Sequence, residues 1–182
     1  MLWRFAHTGD RCFEDEMEEL IAYRARLLAQ AEEQLPRLQT RLRSFNLDEL
    51  HAPLERGGWS PHQVLAHLRD VEQEAFLPRF RSMLREQTPL LPYFDESQWM
   101  EQHYDQEEDP EAMVAAFAAA RRSELDDLRA ADPQGWSREG RHPTQGIRTV
   151  QWWFEYCVQH TEEHLRQLAG ISPDQHPTAA SE

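Results

Sequence analysis

Apolar residues recur at spacings of three and four along a glycine-free stretch near the start of the chain, a pattern typical of an amphipathic α-helix. The pattern extends from Phe13 to Phe45 and comprises Met17, Leu20, Ile21, Leu27, Leu28, Ala31, Leu35, Leu38, Leu42 and Phe45. Pro36 interrupts it, so the sequence predicts either one long helix or a kinked pair. Only seven glycines occur among 182 residues, which disfavours a turn-rich β architecture. We therefore expect an all-α protein.

A second helix is predicted from a set of capping signals that precede it in the segment GGWSPHQV. A polar N-cap, a proline in the first turn and a hydrophobic staple together specify where a helix begins. The signals are Ser60 as N-cap, Pro61 at the first helical position, Gln63 in a capping box, and Trp59 with Val64 as the staple. We expect the helix to extend to about Leu84, with a kink at Pro78.

Two further helices follow, each after a long connection. The third begins at Asp109 and Pro110, and its inward stripe comprises Met113 or Val114, Phe117, Arg121, Leu125 and Leu128. The fourth extends from about Val150 to Ala169, with Thr149 as N-cap and Gly170 as the terminating glycine. These elements predict a four-helix bundle with long crossover connections.

The bundle is expected to form one domain over residues 1–171. Within it, residues 1–29 form an N-terminal extension and the start of the first helix, and residues 172–182 are expected to be a disordered tail.

Charge and hydropathy exclude several classes of function. The net charge of −14 repels phosphate backbones, so nucleic acid is not expected to be a partner. No segment approaches 18 uncharged apolar residues, and the N-terminus lacks the layout of a signal peptide, so no membrane association or secretion is expected. The two cysteines, Cys12 and Cys157, are far apart, which disfavours a disulfide framework. We expect a cytoplasmic protein.

Two histidines are four residues apart in the predicted fourth helix. His160 and His164 therefore lie about 40° apart on one helix face, one turn above the other, which is a metal-chelating spacing. The same face carries Trp153 and Cys157, which we expect to be buried. With nine histidines in the chain, such a pair also arises by chance, so on its own it is a weak signal.

His67 adds a third candidate ligand, because it occupies the inward stripe of the second helix between Val64 and Val71. A single buried histidine is more often a hydrogen-bonded core residue than a ligand. Three inward histidines, however, cost on the order of a few kcal/mol if their ring nitrogens lack partners, and a divalent cation satisfies one nitrogen on each. Three histidines with an open coordination position are typical of a catalytic metal site.

Other titratable residues are weaker candidates. Glu163 is three residues from His160, and Asp70 is three from His67, so each either assists a ligand imidazole or is a solvated helix-face carboxylate. Arg121 is expected to pair with a buried carboxylate or with a substrate anion. The remaining predictions are that His62 is solvated, that His103 and His142 are candidates for the mouth of a pocket, and that Cys157 is an inert packing residue in apolar surroundings.

The order and spacing of the motif residues resemble the DinB superfamily, and more closely the YfiT-like metal-dependent hydrolases and thiol transferases. The resemblance covers roughly residues 30–170. It is carried by Trp59-Ser60, Val64-Leu65-Ala66-His67-Leu68, Asp95-Glu96 with Trp99, Phe117 with Arg121, Trp136 with Arg138, Gly140, His142-Pro143, Gly146 and His160-x-x-x-His164-Leu165-x-Gln167.

The resemblance implies a four-helix bundle of the DinB/YfiT type, often a homodimer, with zinc or nickel held by His67, His160 and His164. Relatives include bacillithiol S-transferases and a mycothiol-dependent maleylpyruvate isomerase. Gln63 replaces the Glu that is common in relatives, and a capping box accepts either residue. Residues 1–29 match no part of the family pattern.

Two classes of function follow from these residues. In the first, the three-histidine site activates either a low-molecular-weight thiol such as bacillithiol, for transfer to a small-molecule substrate, or water, for hydrolysis. In the second, the protein is a non-catalytic metal-binding or stress-responsive bundle, whose site is closed by a further ligand such as His103, Asp70 or Glu163 and has no adjoining cavity. The sequence leaves the choice open.

Overall fold

The computed structural model describes the backbone of residues 8–170 and the side chains of residues 15–170. The predicted tail at 172–182 and the first seven residues of the N-terminal extension lie outside the described residues. The elements in chain order are α1 (Thr8–Leu42), α2 (Leu47–His51), α3 (Pro61–Asp70), a π-helical segment (Val71–Phe76), α4 (Leu77–Arg85), α5 (Glu96–His103), α6 (Pro110–Ala130), β1 (Glu139–His142), β2 (Gly146–Thr149) and α7 (Val150–Leu168).

Four long helical segments pack side by side, which confirms the predicted four-helix bundle. Helix α1 packs against α7, while α3 and α4 form one long segment that packs against α6 and also contacts α7. Helix α1 continues through the exposed Pro36 as a single helix. Among the described residues, no helix is long and apolar enough to cross a membrane.

The second bundle segment begins where its capping signals predict. The backbone N–H of Gln63 donates to Ser60 Oγ, and the Gln63 side chain accepts from the Ser60 N–H, which completes the capping box. A π-helical segment lies just before Pro78, where a kink was predicted, and the Leu77 N–H donates there to the carbonyl of Glu72, five residues earlier. Proline cannot donate a backbone hydrogen bond. In the wider π turn beside it, a backbone N–H donates to the carbonyl five residues earlier instead of four.

The π-helical segment changes which residues share a face with His67. In an uninterrupted α-helix, Arg79 would lie about 120° around the axis from His67, since each residue adds about 100°. A π bulge inserts the equivalent of one extra residue, which reduces this angle to about 20°. Arg79 therefore lies on the same side of the segment as His67, and its side chain is buried.

The two long connections meet in a small sheet that the sequence did not predict. Strands β1 and β2 form an antiparallel hairpin, and the first connection joins it where the Leu91 N–H donates to Arg141 O and the Arg141 N–H donates to Pro89 O, both at 2.8 Å. Gly140 permits this approach, because a Cβ there would lie 2.8 Å from a methyl carbon of Leu91 and 2.9 Å from Met83 Cγ. The short strands lack the alternating apolar pattern by which strands are recognised.

The core consists of two apolar clusters separated by a polar layer. One cluster includes Ala31, Leu125 and Val158, and the other includes Leu38, Phe117 and Leu165. On each bundle segment a buried polar residue lies between residues of the two clusters. These residues are Gln34 on α1, Glu72 on the π-helical segment, Arg121 on α6 and Thr161 on α7.

Candidate metal centre

Three histidines from two bundle segments converge in the structure. His67 of α3 meets His160 and His164 of α7, and one ring nitrogen from each lies within 4.8 Å of the others. The Nε2 atoms of His67 and His160 are 3.1 Å apart. His67 and His160 are buried, and His164 is partly buried. The structure thus brings together the three histidines that the sequence proposed as ligands.

Burial favours the neutral form of all three imidazoles. It lowers the pKa of His67 to about 3, and the charge of His164 acts in the same direction. Burial also lowers the pKa of His160 well below its usual value. The pKa of His164 is lowered by burial as well, although its hydrogen bond to Gln167 opposes this. Neutral imidazole is the form that binds metal ions.

The surroundings of the histidines orient the rings and exclude water. His164 Nδ1 donates to Gln167 Oε1 at 2.8 Å. The Nε2 of the neutral ring is therefore without a proton and available to bind a metal ion. The Trp59 ring lies 4.9 Å from the His67 ring and stacks in parallel with His164 at 6.5 Å. Phe76 packs against the edge of His160. Trp59 therefore contacts the histidines in addition to its predicted role beside the helix N-terminus.

The donor set fits a divalent ion of the kind that imidazole prefers. Imidazole nitrogen suits zinc, copper, iron and nickel. Two nitrogen ligands with bonds of about 2.05 Å at a tetrahedral zinc ion are separated by about 3.3 Å. The 3.1 Å separation between the Nε2 atoms of His67 and His160 is close to this value.

Glu96 is the carboxylate found beside the histidines, and sequence reasoning gave it no role. It is the first residue of α5, and its Oε2 lies 3.6 Å from His67 Nε2. Burial raises its pKa, while the nearby Arg79 opposes the rise. Its inclusion in the family-like Asp95-Glu96 pair was the signal available in the sequence. Glu96 follows a connection without helical periodicity, so the sequence pattern does not predict that it reaches His67.

The carboxylates predicted to assist the histidines face elsewhere. Asp70 Oδ1 accepts a 2.6 Å hydrogen bond from Arg69, and burial raises the pKa of its carboxyl group. Glu163 is exposed and accepts a hydrogen bond from Gln159 at 2.8 Å. Neither is shown in contact with a ligand-candidate histidine.

The remaining histidines have separate environments. The prediction that His62 is solvated was wrong, because it is fully buried and its ring nitrogens lie 2.9 Å from Tyr104 Oη and from the Glu108 carbonyl oxygen. His103 is exposed and stacks on Trp99, away from the three-histidine cluster. His142, the other candidate for the mouth of a pocket, is buried and is part of the wall of a cavity.

A cavity of about 340 Å³ adjoins the histidine cluster. Glu96 and Tyr156, which lie beside His67 and His160 respectively, form part of its wall. Arg79, His142 and Trp153 form another part. None of the three cluster histidines lines this cavity itself. Clefts of 510 and 470 Å³ elsewhere on the surface have neither Glu96 nor Tyr156 in their walls, so the smaller cavity is the one of the three that adjoins the cluster.

Arg121 organises a second buried cluster, within the polar layer. Its Nε and Nη2 donate to the two carboxylate oxygens of Glu72 at 2.5 and 2.9 Å, and Nη2 also donates to Thr161 Oγ1 at 3.0 Å. Gln34 Oε1 accepts from Arg121 Nη1 at 3.2 Å. The prediction that Arg121 pairs with a buried carboxylate is thereby confirmed, and Gln34 and Glu72 are polar core residues that the sequence did not identify.

Cys157 lies in this second cluster as well as in an apolar core cluster, so the prediction of apolar surroundings is confirmed only in part. Its Sγ is 3.7 Å from Glu72 Oε2 and 3.6 Å from Glu124 Oε1, and it accepts from Arg121 Nη2 at 3.4 Å. Burial nevertheless raises the pKa of the Cys157 thiol well above its usual value. Helical spacing predicted that this residue is buried, but it did not reveal that facing helices present polar groups there.

Comparison with known proteins finds a family match and several relatives of this chain. Residues 30–168 match the DinB superfamily. A Bacillus subtilis protein named "Putative metal-dependent hydrolase YfiT" is 29% identical over 125 residues, which are 68% of this chain and 70% of that protein. A relative from Oceanobacillus iheyensis, also named as a metal-dependent hydrolase, is 26% identical over 140 residues, which are 76% and 80% of the two chains.

Solved structures share the bundle. The structure of YfiT from Bacillus subtilis, described as having an unusual four-helix bundle topology, superposes with a TM-score of 0.76 at 23% identity and covers 96% of this chain and 93% of its own. The four-helix bundle protein TT2238 superposes with a TM-score of 0.59 at 24% identity, over 80% of this chain and 97% of its own. The family match over most of the chain shows that the protein belongs to the DinB superfamily.

Proposed function

We propose that His67, His160 and His164 bind one divalent metal ion and that the protein is a metal-dependent hydrolase acting on a small molecule. The observation that carries the proposal is the convergence of three imidazoles, two buried and one partly buried, all with lowered pKa values, beside a cavity. The names of the relatives from Bacillus subtilis and Oceanobacillus iheyensis support the same activity.

The residues around the histidines divide the chemical tasks. When bound, a divalent ion at this position supplies Lewis-acid activation of water near neutral pH. We assign to Glu96 the role of taking a proton from the attacking water and returning it to the leaving group, which is supported by its position at the cavity wall with Oε2 3.6 Å from His67 Nε2. Gln167 holds the His164 ring through Nδ1.

The non-catalytic alternative has less support. It predicts a closed site without an adjoining cavity, completed by a further ligand such as Asp70, Glu163 or His103. Asp70 is bonded to Arg69, and Glu163 and His103 are exposed with other partners, whereas a cavity does adjoin the histidines. Thiol transfer and hydrolysis would use the same metal ligands, so an activity assay is needed to distinguish the two reactions.

A hydrolysis assay with a pair of carboxylate variants tests the proposal. Chromogenic esters such as p-nitrophenyl acetate should be hydrolysed by protein loaded with zinc or nickel, and a chelator should abolish this activity. We expect Glu96→Gln to lower kcat by about 100-fold or more, in the range of general acid–base catalysis. Glu163→Gln is the matched control and should retain activity, because Glu163 is exposed and contacts Gln159.

Three outcomes would count against this proposal. Metal-independent hydrolysis would contradict it, and so would equal losses in Glu96→Gln and Glu163→Gln. Metal-dependent conjugation of monochlorobimane with bacillithiol, cysteine or glutathione, without hydrolysis of any ester, would replace hydrolysis by thiol transfer as the function.

A further inference from the structure

The cavity beside the histidines contains a buried arginine that forms no ion pair within the described part of the chain. The Arg79 side chain is 6% exposed, and its Nε has no hydrogen-bond acceptor among the described residues. Its Nη2 reaches the Pro92 carbonyl only at 3.4 Å. Burial lowers the pKa of Arg79, and attraction to Glu96 opposes this without an ion pair between them. A cation buried in this way is costly unless a partner arrives.

Arg121, another buried arginine, shows what this edge of a guanidinium binds. Arg121 uses Nε and Nη2 together to hold both oxygens of the Glu72 carboxylate. In Arg79 the Nε of the same edge has no acceptor, and its Nη2 lies 3.3 Å from His142 Nε2. Side-on binding by these two nitrogens matches the planar geometry of a carboxylate.

His142 adds a donor to this edge rather than an acceptor. Its Nδ1 accepts from the backbone N–H groups of Thr144 and Gln145, both at 3.3 Å. The neutral ring therefore carries its proton on Nε2, the atom that faces Arg79 Nη2. Two donors consequently lie 3.3 Å apart, and an anion beside the pair that accepts from both would satisfy them.

Trp153 is part of the wall of the same cavity and carries a buried donor. Its side chain is 1% exposed and lies under the Arg79 guanidinium at 4.6 Å, and its indole N–H has no acceptor among the described residues. We propose that Arg79, His142 and Trp153 form a binding site for a carboxylate group of the substrate. This inference rests on the proposed function, since it identifies the substrate class of the same site.

The charges facing the cavity favour a carboxylate over a phosphate. Asp95 and Glu96 line the same cavity, so a dianion would be repelled more strongly than a monoanion. Glu96 lies between the histidines and Arg79, because it contacts His67 and its charge raises the pKa of Arg79. A small monocarboxylate would therefore place its charged group near Arg79 and its reacting group toward the histidines.

Anion titration of metal-free protein tests the inference independently of the metal. Acetate and phenylacetate, each compared with chloride at equal ionic strength, should shift the Trp153 indole N–H signal of ¹⁵N-labelled protein in a saturable manner. Arg79→Met should weaken binding at least about tenfold, in line with the loss of charged hydrogen bonds. The matched control is Arg148→Met, which removes an exposed arginine that lies over the neighbouring Trp152.

The design keeps the two proposals separable. Arg79→Met should fold, since it removes a buried charge that has no ion pair among the described residues and keeps much of the side-chain volume. If it does not fold, Arg79→Lys retains the charge without the planar edge and should also weaken binding about tenfold. Equal binding by wild type and Arg79→Met, preference for inorganic phosphate, or no saturable binding would overturn the carboxylate site. None of these results bears on metal binding by the histidines.

Discussion

Two clusters of potential metal ligands lie in the same bundle, yet burial has opposite consequences for them. His67, His160 and His164 form one cluster, and Glu72, Glu124 and Cys157 form the other, each with ligand atoms within 4.8 Å. Burial favours the uncharged form of every titratable group. An uncharged imidazole is a metal ligand, whereas a thiol or carboxylic acid must lose its proton before it binds a metal strongly.

The second cluster also contains its own cation. The Arg121 guanidinium is paired with Glu72 and contacts Cys157. Burial, together with the charge of Glu72, raises the pKa of Glu124 well above its usual value, and burial raises that of Cys157. Residue type and proximity are therefore insufficient to identify a metal site. The protonation state set by burial, and the presence of a protein cation, separate the two clusters.

The largest expected effect concerns stability. Arg121→Met should lower the free energy of unfolding by about 3–5 kcal/mol, because it leaves buried carboxyl groups without their cation. In metal-free protein at pH 7.5, His67→Leu should cost less than about 1.5 kcal/mol, since a neutral ring is replaced by an apolar side chain of similar size. Urea unfolding measures both values, and equal losses would contradict the distinction between a structural cluster and a ligand cluster.

A smaller effect is expected in the pH dependence of stability. The folded histidines resist protonation while the unfolded chain gains protons below about pH 6.5, so their contribution to the free energy of unfolding falls as the pH falls from 6.5 toward 3. Glu124 has the opposite sign. Its unfolded carboxyl loses a proton above about pH 4.5 while the folded one keeps it, so its contribution falls as the pH rises.

Urea unfolding of metal-free protein between pH 5 and pH 8 separates the two contributions. His67→Leu should flatten the acid side of the profile, and Glu124→Gln should flatten the side at higher pH. The two substitutions should change the slope of the free energy of unfolding against pH with opposite signs. If both changed this slope with the same sign, burial would not have the opposite effects that the two clusters require.

Most of the bundle could be predicted because helices carry local signals. The capping box at Ser60, the N-caps at Asp109 and Thr149 and the left-handed Gly170 all lie where the sequence indicates. The three histidines were predictable for the same reason, since each occupies a regular position on an amphipathic helix. Their proximity follows once the apolar faces of the two helices are assumed to pack against each other.

The residues that were missed depend on departures from helical regularity or on contacts between distant segments. Glu96 reaches His67 through a connection without periodicity, and Arg79 faces the cavity because the π-helical segment rotates the residues that follow it. The polar surroundings of Cys157 come from Glu72 and Glu124 on other segments. The homodimer and the choice between zinc and nickel stay predictions from the resemblance.

Zinc titration by calorimetry tests the central claim most directly. Metal-free wild type should bind about one zinc ion per chain, and Cys157→Ser should bind it unchanged. His164→Ala should weaken binding by at least about 100-fold, since even loss of a group that only orients a ligand costs about 10–100-fold. The account would be contradicted if His164→Ala bound zinc like the wild type, or if Cys157→Ser lost the ion instead.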